Sequence, residues 1–240
     1  LTTVYLSDVV RDVQAEVVNP GRVCPHRYGA SGIDGVAFAP SVGRRGGRML
    51  LYVAYGIYSD VERTDNDYQV LLCYDVKDWD RYRLPLDARH LHTSGPSRPR
   101  ARYFVRTGNT SWGIQNLAYD AVSGHLLAAV YPGKKAHFPN YSLFCVDRSA
   151  KPSRQVLEGV EPRTQGRVLP LVEAGLHDVA SGVWGWHFPY GATGMAPLGG
   201  GYYYLSHNGR DEATEREYTY LYLYRWSEGE GMRRVVSGGK

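Results

Sequence analysis

The apolar positions of this chain fall in short runs rich in Val, Leu, Tyr and Phe, each closed by Gly or Pro. That is the punctuation of β-strands and turns. One set of runs recurs three times in the same order. Gly32-Ile33-Asp34-Gly35-Val36-Ala37-Phe38 matches Gly113-Ile114-Gln115-Asn116-Leu117-Ala118-Tyr119 and then Gly194-Met195-Ala196-Pro197-Leu198, with leading glycines 81 residues apart. Upstream, Tyr28-Gly29-Ala30-Ser31 agrees with Tyr190-Gly191-Ala192-Thr193. A second, apolar block follows in each copy at residues 47–56, 124–133 and 200–209, bracketed by glycines nine apart. A third closes each unit at residues 71–75, 143–147 and 222–226. Every block is expected to be a strand. The links between the first two blocks shorten from Ala39-Pro40-Ser41-Val42-Gly43 through Asp120-Ala121-Val122-Ser123 to Gly199-Gly200. These are hairpin turns, so neighbouring strands are expected to run antiparallel.

The second block is apolar on both faces. Over residues 49–55 the odd positions are Met, Leu, Val and Tyr, and the even ones are Leu, Tyr and Ala. Such a strand must be covered on both sides, which sheets packed face to face around an axis achieve. With its pattern of Gly-Ile-x-x-apolar-Ala, a hairpin, an apolar strand and Leu-x-Cys-x-Asp, the chain resembles the β-propeller superfamily over roughly residues 28–226. The resemblance implies an all-β, β-propeller-like fold of about four to six blades, since a unit of 81 residues is about twice the usual ~40–45 of one blade. It implies one domain over residues 1–240, with repeat units about 28–108, 109–189 and 190–240. An N-terminal strand near Val4-Tyr5-Leu6 is expected to complete the last unit, and further strands are expected at residues 102–106, 166–171 and 183–186. Residues 7–18 are a candidate short helix, with Ser7 as cap and Val9, Val13 and Val17 on one face. The alternative architecture is a β-sandwich with long loops.

Composition changes this picture in one respect. The chain holds 20 Tyr against 5 Phe and 5 Trp. Tyr suits pleated, half-buried surfaces, and it also lines sugar- and peptide-binding surfaces where a ring packs and a hydroxyl stays wet. The net charge of +4 is modest, and its arginines gather in Arg44-Arg45-Gly46-Gly47-Arg48 and Arg98-Pro99-Arg100-Ala101-Arg102. Solvated turns are the expectation there, because no aromatic-plus-basic pattern of the RNA-binding kind accompanies them. Neither a nucleic-acid nor a membrane partner is expected, as no apolar run approaches the ~18 residues of a span. Three cysteines, Cys24, Cys73 and Cys145, are too few for a disulfide framework. The chain starts at Leu1 rather than Met, as a processed or trimmed chain does, and an extracellular or periplasmic setting is the matching expectation.

Candidate chemistry is sparse. No Gly-x-Ser-x-Gly elbow and no nucleotide-binding glycine loop occurs, so no cofactor is expected. His26, His187 and His207 lie near repeat landmarks but lack local ligand spacing, so no metal site is assigned. Cys73 and Cys145 hold the same place in the third block, where the last copy has Tyr224, and read as buried packing sites. Asp75 and Asp147 read as turn residues, while Asp34, Asp120, Glu173 and Asp178 are the carboxylates to watch for glycoside chemistry. Polar residues just after the repeated glycine differ between copies, and aromatics flank the strand starts. The expected ligand-binding residues are therefore Tyr28, Asp34, Trp112, Gln115, Trp186, His187 and Tyr190. They point to a non-enzymatic domain that takes a glycan, small-molecule or protein ligand at one end of the ring. The alternatives are a propeller hydrolase or lyase acting on carbohydrate or lactone through Asp34 with His26 or His187, and an interaction scaffold with an inert channel.

Overall fold

The computed structural model describes residues 1–13, 33, 35–44, 46–56 and 60–236. It opens with β1 (Thr2–Thr3) and the short, roughly two-turn helix α1 (Ser7–Val13). The first repeat unit supplies β2 (Gly35–Pro40), β3 (Met49–Tyr55) and β4 (Tyr68–Tyr74), then the short β5 (Leu84–Pro85) and β6 (Ala101–Arg106). The second supplies β7 (Thr110–Tyr119), β8 (Leu126–Pro132) and β9 (Leu143–Val146), followed by β10 (Ser153–Val156), β11 (Gln165–Val168), β12 (Leu176–Asp178) and β13 (Val183–Gly185). The third supplies β14 (Met195–Gly199), β15 (Tyr202–Arg210), β16 (Glu217–Ser227) and β17 (Gly231–Arg234). The architecture is all-β, in several sheets, none of which closes on itself among the described residues.

Each repeat is an antiparallel meander whose three blocks are successive neighbours: β2-β3-β4, β7-β8-β9 and β14-β15-β16. The third blocks pair in comparable but not identical register: Tyr52 faces Cys73, Leu127 faces Cys145, and Tyr203 faces Tyr224, the second-block partner standing five residues after its leading glycine in the first unit and three in the others. Cys73 and Cys145 point towards the following sheet, whereas Tyr224 points back to the second. Only the first hairpin is longer, since β2 and β3 continue through Ala39–Leu50 to Pro40–Met49 before turning. A fourth strand lies beyond the third one in the first and third sheets. In the first sheet it is β6, antiparallel to β4, and in the third it is β17. In the second, an antiparallel bridge joins Leu143 to Trp186 just after β13. The expected extra strands at 102–106, 166–171 and 183–186 thus correspond to β6, β11 and β13.

The sheets stack face to face through their alternating side chains. One face of the first sheet (Tyr52, Ala54, Leu71, Cys73) meets one face of the second (Leu126, Ala128, Val130, Phe144, Val146) in a shared core. The other face of the second (Leu127, Ala129, Leu143, Cys145) meets the third (Met195, Tyr203, Leu205, Tyr224, Trp226). The far face of the first sheet, with Val53, Tyr55, Val70, Leu72 and Phe104, is covered by Val9 of α1 and by Leu157, Val160 and Val168. β3 and β8 are therefore buried on both faces, as their continuous apolar pattern required.

The repeated glycine has a backbone reason at Gly113, whereas at Gly194 an added Cβ would meet only the Ser206 side chain. Gly113 adopts φ +86°, and a Cβ there would lie 2.4 Å from the backbone N of Gly56, so β7 approaches the first sheet backbone to backbone. Gly32 lies outside the described residues. The N-terminus departs from expectation. Val4, Tyr5 and Leu6 form no strand, and among the described residues the third sheet contains only β14 to β17. Instead β1 pairs with β5, with Tyr5 N–H donating to the Ser94 carbonyl at 2.9 Å. The candidate helix at 7–18 is present over Ser7–Val13, and its remainder lies outside the described residues.

Candidate functional site

Residues opposite one another in β15 and β16 share a face of the third sheet, and on one face they are almost all aromatic. Tyr203 pairs with Tyr224, Leu205 with Tyr222, His207 with Tyr220, and Gly209 with Tyr218. Near Tyr203 and Tyr224 this face is buried against the second sheet. Towards the far end of the hairpin it runs clear, and Tyr218 and Tyr220 are 43% and 57% exposed. Their rings follow one another along the strand, with centroids 5.1 Å apart from Tyr218 to Tyr220 and 6.3 Å from Tyr220 to Tyr222. Gly209 makes room for this, because a Cβ there would lie 2.3 Å from the Tyr218 ring.

The inner end of the band is built around His207. Its ring lies flat on Tyr190, with centroids 3.4 Å apart and planes 8° from parallel, and Tyr222 meets its edge at 4.5 Å. His207 Nε2 is 2.9 Å from the Tyr224 hydroxyl. Partial burial and the Arg234 guanidinium both push the imidazole pKa below its ordinary value, favouring the neutral ring. Arg234 itself sits over the Tyr222 ring, 3.6 Å from its centroid. Tyr190 is carried by a loop that the second sheet holds, since the Asn116 side-chain amide donates to the carbonyls of Gly191 at 2.7 Å and Ala192 at 2.8 Å. Phe188 closes the inner end, edge-on to both Tyr190 and Tyr224.

The expected site residues distribute unequally around this band. Tyr190 is part of it. Trp112, 47% exposed, and Gln115 lie on β7, where the Gln115 amide approaches the Trp112 carbonyl at 3.4 Å. His187 is exposed and edge-on to Tyr141 at 4.9 Å. Trp186 has a packing role: it meets Trp226 edge-on at 5.0 Å and fills the space that Gly175 and Gly231 leave. Tyr28, Asp34 and His26 lie outside the described residues, as does Cys24. Residues 218, 220 and 222 were missed, although tyrosines at every second position from 218 to 224 mark one face of a strand.

Glu173 is exposed and Asp34 lies outside the described residues, while the other acid–base candidates are engaged in structure. Asp120 is buried, accepting from the Tyr203 hydroxyl at 3.0 Å and from Ser123 N–H at 2.7 Å. Asp178 accepts from Ser181, and Asp75 and Asp147 accept turn N–H groups from Lys77 and Ser149 as their positions implied. His125 lies between Asp147 at 3.2 Å and Glu228 at 3.6 Å, joining the ends of the second and third sheets. Cys73 and Cys145 are free thiols, both buried, and burial pushes the Cys73 thiol up to about 11. Among the described residues no three His, Cys, Asp or Glu side chains gather as metal ligands, and no helix is long and apolar enough to cross a membrane. No family model, curated protein or solved structure matches the chain.

Proposed function

We propose that the three stacked sheets are blades of a β-propeller and that the domain is a non-catalytic binder of neutral carbohydrate. The ring reading is supported by the three stacked meanders and by apolar side chains left uncovered on the outer face of the third sheet. Tyr204 is 44% and Leu221 66% exposed there, where a further blade would cover them. The observation that carries the binding reading is the run of tyrosines at 218, 220 and 222, continued by the His207–Tyr190 stack. Pyranose rings present flat patches of C–H groups that lie on aromatic faces, while tyrosine hydroxyls at the rim stay free to hydrogen-bond. Spaced 5–6 Å apart along one strand, such rings suit an extended saccharide better than a single sugar.

The test is a neutral-oligosaccharide array followed by calorimetric titration of the best ligand. Tyr218→Ala with Tyr220→Ala should weaken binding at least tenfold and leave the thermal midpoint within a few degrees, because both rings are half in solvent. A wild-type chain that retains no neutral saccharide, or a double variant that binds as well as wild type, overturns the proposal.

A further inference from the structure

Arg44 and Arg48 of one arginine-rich stretch and Arg100 of the other, more than 50 residues on in sequence, line one surface recess. It has a volume of about 270 Å³ and is lined by Ser41, Arg44, Gly46, Gly47, Arg48 and Leu50 from the β2–β3 turn and by Asp75 and Arg100 from across the sheet. We propose that this recess binds a tetrahedral oxyanion, the sulfate or phosphate ester group of a small ligand. The proposal stands independently of the aromatic face.

Among the described residues, three guanidiniums against one carboxylate leave two positive charges uncompensated, which matches a dianion. Arg48 donates to Asp75 at 2.6 Å, whereas Arg44 and Arg100 have no acidic partner among the described residues. Arginine is suited to such a group, since its fork of N–H donors spans two oxygens at once. The recess is also held in shape. Arg148, 1% exposed, passes behind the turn and donates to the carbonyls of Ser41 at 2.8 Å and of Arg44, while Gly43 N–H donates back to the Arg148 carbonyl at 2.8 Å. On the opposite wall, Arg100 N–H donates to the Cys73 carbonyl at 2.8 Å, which sets Arg100 beside Asp75. The volume falls just below the roughly 300–1,000 Å³ of sites that enclose a whole drug-sized ligand, so a charged group and its attachment fit better than an entire molecule.

The test titrates the full chain with inorganic phosphate and with inorganic sulfate at low ionic strength, where exposed charges are least screened, reading arginine side-chain NMR signals. Arg44→Ala with Arg100→Ala should weaken binding at least fivefold. Asp75→Asn should tighten it two- to threefold, because Arg48 is released to the anion. Arg163→Ala with Arg216→Ala, at exposed positions elsewhere, should change it less than twofold. Should Asp75→Asn lower the thermal midpoint, Asp75→Ser, which keeps an acceptor for Lys77 N–H, takes its place. Equal losses in the two arginine pairs, or no gain on removing the Asp75 charge, would reduce the site to general surface charge and overturn the proposal. A sulfated disaccharide and a hexose phosphate are then compared in the same titration. The tighter of the two names the source of the ester, and binding of neither is a refutation.

Discussion

His207 connects the aromatic band to pH. Its imidazole is held neutral between the Tyr190 face, the Tyr222 edge and the Tyr224 hydroxyl, with Arg234 as the nearby cation. Its folded-state pKa is therefore lower than in the unfolded chain, so the unfolded state takes up the proton first as pH falls. The contribution to stability is complete above the unfolded value near 6.5 and is lost as pH drops through the folded value. As pH falls below the ordinary imidazole value and through the lowered folded value, the ring stack should loosen and any saccharide bound there should dissociate faster, an effect His207→Gln should abolish. NMR titration of the His207 ring signals beside calorimetry across pH 5–8 checks both. Cys73 and Cys145 behave in the opposite sense, since burial keeps both thiols protonated. Their equivalence was legible in sequence because a packing position repeats whenever its rung repeats. His207 was legible only as a landmark, since its neighbour Tyr190 comes from another loop.

At the scale of the element, turns are held by groups that sequence does not advertise. Arg148 follows Asp147 in what reads as a polar turn, yet it is buried and serves the carbonyls of Gly124, Ser41 and Arg44, with its guanidinium over the Tyr119 ring at 5.4 Å. Arg148→Met keeps the apolar stem and leaves those carbonyls without their donor. It should cost about 3–5 kcal/mol, measured by urea unfolding, and should also loosen the arginine-lined recess. The strands themselves were readable, because period and punctuation are local properties. The β1–β5 pairing was not, because it joins two short segments more than 80 residues apart in which only two residues each take part. Gly113 shows the same limit from the other side. Its recurrence was visible, but the reason for it is Gly56, just past the end of β3 in the first unit. Gly113→Ala combines an unfavourable φ with a backbone clash, and it should lower stability by more than about 1 kcal/mol.

The whole molecule is a succession of layers, and its middle layer has no free side. Leu127 projects into the core shared with the third sheet, while Leu126 and Ala128 project into the core shared with the first. Leu127→Ala should cost about 2–5 kcal/mol, and the loss should be felt by the third sheet before the first. What sequence could not supply at this scale is the angle between layers and whether they close on themselves. Repeats specify the unit and the contact between neighbours, not the number of units around an axis.

The burial of β8 on both faces also sets a clock. Its backbone hydrogen bonds run to β7 on one side and β9 on the other, and its side chains from Leu126 to Val130 are at most 1% exposed. Losing β7 or β9 alone frees only the amides bonded to that neighbour, and both faces stay covered by the flanking sheets, so exchange along β8 with deuterated water should be the slowest in the chain and approach the global unfolding event. The β15–β16 hairpin tip, open to solvent around Tyr218 and Tyr220, should exchange orders of magnitude sooner. A protease added under native conditions should trim that tip long before it finds a site in β8, leaving a resistant fragment whose lifetime measures how firmly the outer layers grip the inner one.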